Sequence, residues 1–291
     1  MTRRILSASL ALVLAAAAAA AEERHPMRGV VVSVDRAARS MVVSTDPVPG
    51  FMAAMAMPYP VRDAAALEKL TPGAAIDFVY VVDGKTSYAL DIRIRGFESF
   101  EQKPMEAERL KVLKGLIDPA ARASVVPTGQ RVPDFTLKDQ TGAAVTLASL
   151  GGKVVALTFG YVRCPNPAYC FRLASNLGQL QTRFKDRLGR DLVLLTVVLD
   201  PEHDLGRALT EYARVWTTQP ANWHFLTGSV PEVRRVAGYF GVEFWKDEGS
   251  VIHTLNTVVI DRQGRLAANL EGNAFSAQQL ADVIKSALQA P

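Results

Sequence analysis

Thiols are scarce in this chain: Cys164 and Cys170 are its only cysteines, and both fall in one short stretch, "YVRCPNPAYC". No cysteine stands near the end of the N-terminal apolar segment, which excludes a lipid anchor there. That segment, broken by Ser7 and Ser9, is also short against the roughly 20 residues a membrane-spanning helix needs. Charge of one sign is lacking too. The formal net charge of +4 falls to +2 without Arg3 and Arg4, and the remaining charges are dispersed with no basic tract. A nucleic-acid partner is therefore not indicated. There is no internal repeat, and the only low-complexity segment is an N-terminal alanine run.

What is present begins with "MTRRILSASLALVLAAAAAAAEE". A positive start, an apolar run from Ile5 and small residues before Glu22 are the layout of a secretory signal peptide, residues 1–21 with cleavage near Ala21. The mature chain then works in an oxidising, periplasmic space, where neighbouring thiols tend to pair. It is membrane-anchored only if the signal stays uncleaved. About 270 remaining residues, half of them apolar, suggest two domains of roughly 150 residues or fewer.

The first, residues 27–97, reads as a small all-β domain. "MRGVVVSVDRAARSMVVST" predicts two strands around a turn, and "AIDFVYVVDGKTSYALDIRIRG" predicts a hairpin turning at Asp83-Gly84. A linker with one helix and several prolines follows over 98–130. From about residue 131 to the end, strands such as "KVVALTFGY", "DLVLLTVVLD", "NWHFLTG" and "HTLNTVVIDRQG" alternate with helical segments. That alternation predicts an α/β sandwich with helices on both faces of the sheet.

The cysteine loop leaves the first long strand of this domain and leads into a helix. A thiol at a helix N-terminus has its pKa lowered by the amide groups and dipole there. Pro165 and Pro167 are expected to hold off the helix until after the loop. A crosslink enclosing so short a loop adds little stability, so the pair reads as functional rather than as a staple. Two chemistries compete. Thiol-disulfide exchange of the thioredoxin type would have C-x-x-C and a proline before the late strand, and neither is present. Where that proline would stand is His253. With the two thiols it makes a Cys2His set suited to copper: thiolates hold Cu(I), and imidazole helps retain Cu(II). Zinc is the rival metal, but it usually takes a fourth ligand and none is obvious.

Residues 132–290 resemble the Sco (SenC) family of copper proteins. The resemblance is carried by "VPDFTLKDQTG", "GGKVVALTFGYVRCP", "VVLDPEHD" with "LTEYA", "NWHFLTG" and "HTLNTVVIDRQG". It implies a thioredoxin-like domain associated with assembly of the binuclear copper centre of cytochrome c oxidase, with copper ligands at Cys164, Cys170 and His253. The family usually has C-x3-C followed by proline; here the spacing is C-x5-C and Phe171 follows. Asp200 in "DPEHD" would support the loop, and His203 would face solvent.

The first domain points the same way. "VPGFMAAMAMPYPV" places Met52, Met55 and Met57 within six residues. Met55 and Met57 share a face on a strand, and Met52 can approach from the preceding turn. Thioethers are soft at every pH and select Cu(I) or Ag(I), although methionine also serves as ordinary core filling. The segment resembles the CusF-like periplasmic copper-binding domains, small barrels of the oligonucleotide-binding (OB-like) type. A histidine ligand of that family is replaced here by Thr45, so the expected site rests on methionines, with Phe51 or Tyr59 as an aromatic wall. His25 lies too far upstream to be included.

The expectation is an exported, periplasmic copper metallochaperone for an oxidase copper-centre subunit or another copper carrier. The alternatives are a thiol-disulfide reductase using Cys164 and Cys170 on a recipient's cysteines, and a copper buffer serving resistance.

Overall fold

The computed structural model describes residues 22–84, 86–96, 125–247 and 249–290. The expected signal segment and most of the expected linker lie outside them.

The N-terminal unit is a five-stranded antiparallel sheet. Its strands are β1 (Glu23–Asp35), β2 (Ser40–Thr45), β3 (Ala56–Pro60), β4 (Ala75–Asp83) and β5 (Thr86–Ile94), in the order β3-β2-β1-β4-β5. The β4-β5 turn forms as expected, with Gly84 at φ 58°, a backbone region glycine enters without strain. Inward side chains Met27, Val31, Met41, Val43, Tyr59, Ile76 and Phe78 form its core, closed at one side by Leu67 and Leu70. The sheet of the expected small OB-like barrel is present, but among the described residues it is not closed. The edge strands β3 and β5 share no continuous ladder and meet through a single bridge, Val61 with Ala89.

The C-terminal unit is the expected α/β sandwich. A short hairpin, β6 (Thr136–Lys138) and β7 (Ala144–Thr146), precedes β8 (Val154–Gly160), β9 (Leu192–Val198) and β10 (Trp223–Leu226). A second hairpin, β11 (Phe244–Asp247) and β12 (Ser250–His253), leads to β13 (Asn256–Ile260) and β14 (Leu266–Glu271). The main sheet runs β10-β9-β8-β13-β14, with β8, β9 and β10 parallel and β13 and β14 antiparallel to their neighbours. The helices are α1 (Arg172–Arg183), α2 (Gly206–Trp216), α3 (Val230–Tyr239) and α4 (Ala277–Gln289). Leu177 of α1, Leu209 of α2 and Ile284 of α4 cover one face, and Val233 and Val236 of α3 cover the other. Every residue of β8 and β9 is buried, which is why these strands read as unbroken apolar runs rather than alternating ones. Ser229 and Ser276 start α3 and α4 with capping boxes, each closed by Glu232 or Gln279.

Strand β1 joins the two units. Met27 and Val31 enter the core of its own sheet, whereas Val30 and Val32 on the opposite face enter the cluster that contains α1, α4 and β8. Hydrogen bonds add to this apolar contact. Ser44 Oγ donates to Asp282 Oδ2 at 2.8 Å, and Gln279 Nε2 donates to Ser44 O at 3.2 Å and to Asp46 Oδ1 at 3.0 Å. At the other end of the contact Gly73 has φ 94°, and a Cβ there would lie 2.4 Å from the Asn269 carbonyl oxygen.

Gly73→Ala is therefore expected to strain the backbone and to push the units apart. Chemical denaturation should show a loss of about 1–3 kcal/mol, and an unchanged midpoint would mean the contact is loose enough to yield.

Candidate functional site

Past the end of β8 the chain turns at Val162 and Arg163, and helical winding starts at Pro167 as one wide turn, Pro167–Phe171, before α1. Only Pro165 holds off the helix. Pro167 opens it, because a proline in the first turn forfeits no intrahelical bond. Such wide turns are frequent at functional positions. Cys170 sits in this turn with 6 % of its surface exposed. Cys164 and Cys170 are joined as a disulfide, their Cα atoms 6.4 Å apart, so the C-x5-C loop brings both sulfurs to one point.

His253 ends β12, opposite Phe244. Its Nδ1 lies 2.8 Å from the Thr254 carbonyl oxygen. A carbonyl only accepts, so Nδ1 carries the proton and Nε2 keeps its lone pair, the arrangement metal-binding histidines usually adopt. Burial pushes the His253 pKa below its usual value, outweighing the Thr254 contact, so the ring is neutral near pH 7. The ring packs edge-on to Tyr161 with centroids 6.1 Å apart, and the Cys164 N–H donates to Tyr161 O at 3.3 Å. Tyr161 thus touches both the imidazole and the thiol loop. Among the described residues no three His, Cys, Asp or Glu side chains converge as a metal-binding set.

Acidic groups support the loop from behind. Arg163 donates to Asp200 Oδ2 at 2.8 Å, His203 Nδ1 lies 2.9 Å from Asp200 Oδ1, and Lys246 Nζ lies 3.6 Å from the same oxygen. Burial works to raise the Asp200 pKa, but the bonds from His203 and Arg163 outweigh it and hold the carboxylate ionised. His203 is half-exposed and engaged with Asp200. Asp204 is different. It is fully buried, accepts one bond from the Val162 N–H at 2.9 Å, and leaves Oδ1 without a hydrogen-bond partner. Desolvation, with repulsion from Asp200, pushes its pKa up to about 6.

In the N-terminal unit, Met57 packs against the core near Tyr59 on β3, Met55 is 47 % exposed, and Met52 lies in the preceding turn, bridged to Val48. The Tyr59 hydroxyl donates to Met52 Sδ at 3.8 Å. Thr45, at the position expected to lack a histidine, uses both its N–H and its hydroxyl on the Met55 carbonyl, at 2.9 and 3.1 Å. The three methionines therefore share one end of the sheet without being drawn into a single contact. The same end holds a residue set aside on sequence separation. His25 pairs across the sheet with Tyr80 and stacks on Phe51, with centroids 3.6 Å apart and planes 10° off parallel. "EERHP" has the proline and charges of a loop, and only its pairing with β4 makes it a strand.

Comparison with known proteins agrees with this architecture. An α/β sandwich of thioredoxin-like type, with paired cysteines in the loop after its first long strand, defines the class. Residues 126–289 match the SCO1/SenC family model, more than half of the sequence, and the chain belongs to that family. Residues 24–92 match the model described as copper binding periplasmic protein CusF. The SCO1 protein homolog of Bacillus subtilis is 29% identical over 150 residues, which is 50% of this chain and 76% of that protein. The mitochondrial SCO1 homolog 1 of Arabidopsis thaliana is 31% identical over 116 residues, 39% of this chain and 33% of that protein. The crystal structure of a SCO1/SenC family lipoprotein from Bacillus anthracis superposes with a TM-score of 0.50 at 24% identity, covering 55% of this chain and 95% of that one, a likeness of fold.

The Asp204 carboxyl gives a test by pH. Its folded pKa, about 6, exceeds the usual 3.8, so the folded state holds its proton more tightly than the unfolded one. The Asp204 contribution to stability is thus fully present below about pH 4 and is lost as pH rises through 6, about 3 kcal/mol for a shift of this size. Asp204→Asn, which keeps the acceptor for Val162, should raise the melting temperature at pH 7.5 and leave it nearly unchanged at pH 3.5. Equal effects at both pH values would show that the carboxylate is not penalised.

Proposed function

We propose that this protein is an exported, periplasmic copper metallochaperone in which reduced Cys164 and Cys170, with His253, hold one copper ion and Met52, Met55 and Met57 hold another. The expected signal at 1–21 supports export, and among the described residues no helix is long and apolar enough to cross a membrane. On this reading residues 27–97 are a CusF-like domain of OB-like type, 98–130 the linker and 131–291 the Sco/SenC domain. The observation that carries the proposal is that the Cys164–Cys170 loop and the His253 ring both meet Tyr161, with the His253 Nδ1 proton committed to the Thr254 carbonyl. Two thiolates and an imidazole accept Cu(I), and the imidazole extends the set to Cu(II). Thioethers without charge suit Cu(I) and not Cu(II). Family membership supports delivery to the copper centre of cytochrome c oxidase, so the partner is an oxidase copper-centre subunit or another copper carrier.

A second reading has its own observation, the closed Cys164–Cys170 disulfide. In its reduced form this pair can hand two electrons to the disulfide of a recipient's copper-binding cysteines, closing its own bridge as the recipient's is opened. The two activities are separable: chaperoning appears as copper transfer, and reductase activity as insulin-type disulfide reduction without copper.

Anaerobic, reduced protein is expected to bind about two Cu(I), one per donor set. Saturation at a single equivalent would mean that the methionines only fill the core. His253→Ala should remove most Cu(II) binding while Cu(I) binding by the thiolates survives weakened. An unchanged Cu(II) absorption spectrum in that variant would remove His253 from the site.

A further inference from the structure

We propose that His25 is a ligand of the methionine site, supplying through Nε2 the nitrogen donor that Thr45 lacks. The proposal rests on the methionine site argued above and adds to it a residue from a different strand.

Three observations carry it. His25 has the same parity on β1 as Met27 and Val31, so its ring turns towards the inner face of the sheet, at the end where Phe51, Met52 and Tyr80 gather. Its Nε2 is withdrawn from solvent yet has no hydrogen-bond partner among the described residues, although the Glu23 carboxylate stands 3.4 Å away. A buried nitrogen left in this state is costly and calls for a reason. Finally, the ring lies flat against Phe51, whose neighbour in the chain is Met52. The turn that carries both is fixed: the Val48 N–H donates to Met52 O at 2.9 Å, and the Phe51 and Met52 N–H groups donate to Val48 O at 3.0 Å each. Tyr59 links the far side, with its hydroxyl on Met52 Sδ and its ring 5.0 Å from Tyr80, the cross-strand partner of His25.

The imidazole and the thioether of Met52 thus flank one small aromatic cluster, and Met55, 47 % exposed, stands three residues further along the same segment. An imidazole nitrogen among thioethers is a donor set for Cu(I) or Ag(I), and a stronger one than thioethers alone. Thr45 cannot supply that nitrogen, and its hydroxyl is already committed to the Met55 carbonyl.

The test uses the full chain carrying Cys164→Ser and Cys170→Ser, so that thiolates contribute nothing, with Ag(I) alone as the probe. Nitrogen-15 NMR of the histidine rings should show a large shift of the His25 Nε2 resonance on addition of the ion, to the position of a metal-bound nitrogen. Competition titration should show His25→Gln weakening Ag(I) binding by about 10- to 100-fold, at least the scale on which supporting partners of metal ligands register. The paired substitution Met55→Leu with Met57→Leu should weaken binding further. If the methionine variant loses binding while His25 neither shifts nor matters, the methionine site stands and the role of His25 is overturned. If Ag(I) binds equally to every variant, both fall. The NMR measurement decides the matter without altering His25, so it holds even where His25→Gln disturbs folding.

Discussion

The structure depends on one strand being buried on two sides. In "MRGVVVSV" the side chains of β1 alternate, Met27 and Val31 into the first sheet and Val30 and Val32 into the helical layer of the second unit. A strand committed in this way cannot slip its register by one residue without exposing both cores. The contact also reaches the methionine loop. Gln279 on α4 binds Ser44 O and Asp46 Oδ1, the residues on either side of Thr45, and Thr45 in turn holds the Met55 carbonyl. The loop that carries one proposed site is therefore gripped by a helix of the unit that carries the other.

The two proposed sites differ in chemistry more than in their preferred metal. At the loop of Cys164 and Cys170 a disulfide and a metal-thiolate site are alternatives, because the thiolate is the ligand and each sulfur can make only one of these commitments. The methionines have no such choice. A thioether cannot form a disulfide, so their affinity for a soft ion is indifferent to mild thiol oxidation. Joined on one body, the pair would keep a cargo ion at the N-terminal unit while the C-terminal loop alternates between open and closed states.

How much of this was legible in the sequence varies by element. Strands β8 and β9 were readable because burial on both faces leaves continuous apolar runs, and the helices because helical segments alternate with such runs. The β11-β12 hairpin and β14 were not. "LAANLE" alternates in burial, with Leu266, Ala268 and Leu270 inward, but its two alanines and asparagine carry little strand propensity, so its strand character comes from pairing with β13. The N-terminal sheet was legible strand by strand, but whether its edges close is a matter of coiling that local propensity does not encode. At the sites, spacing alone pointed to Cys164 with Cys170, and to Met52, Met55 and Met57. His25 was passed over because twenty residues of chain separate it from Thr45, and only the antiparallel register of β1 and β4 and the fold of the Phe51 loop cancel that distance. Asp204, set beneath the loop by the turn before α2, carried no signal beyond being one acid in "DPEHD".

The central claim is that one body holds two soft-metal sites, of which only one is gated by thiol oxidation. The most direct measurement is a Cu(I) titration, against a coloured chelator, of the same protein before and after a thiol-selective oxidant has closed the Cys164–Cys170 bridge, with the bridge verified by mass. The account predicts that closure removes one bound equivalent and leaves the other with unchanged affinity. Retention of both equivalents after verified closure, or loss of both together, would contradict it.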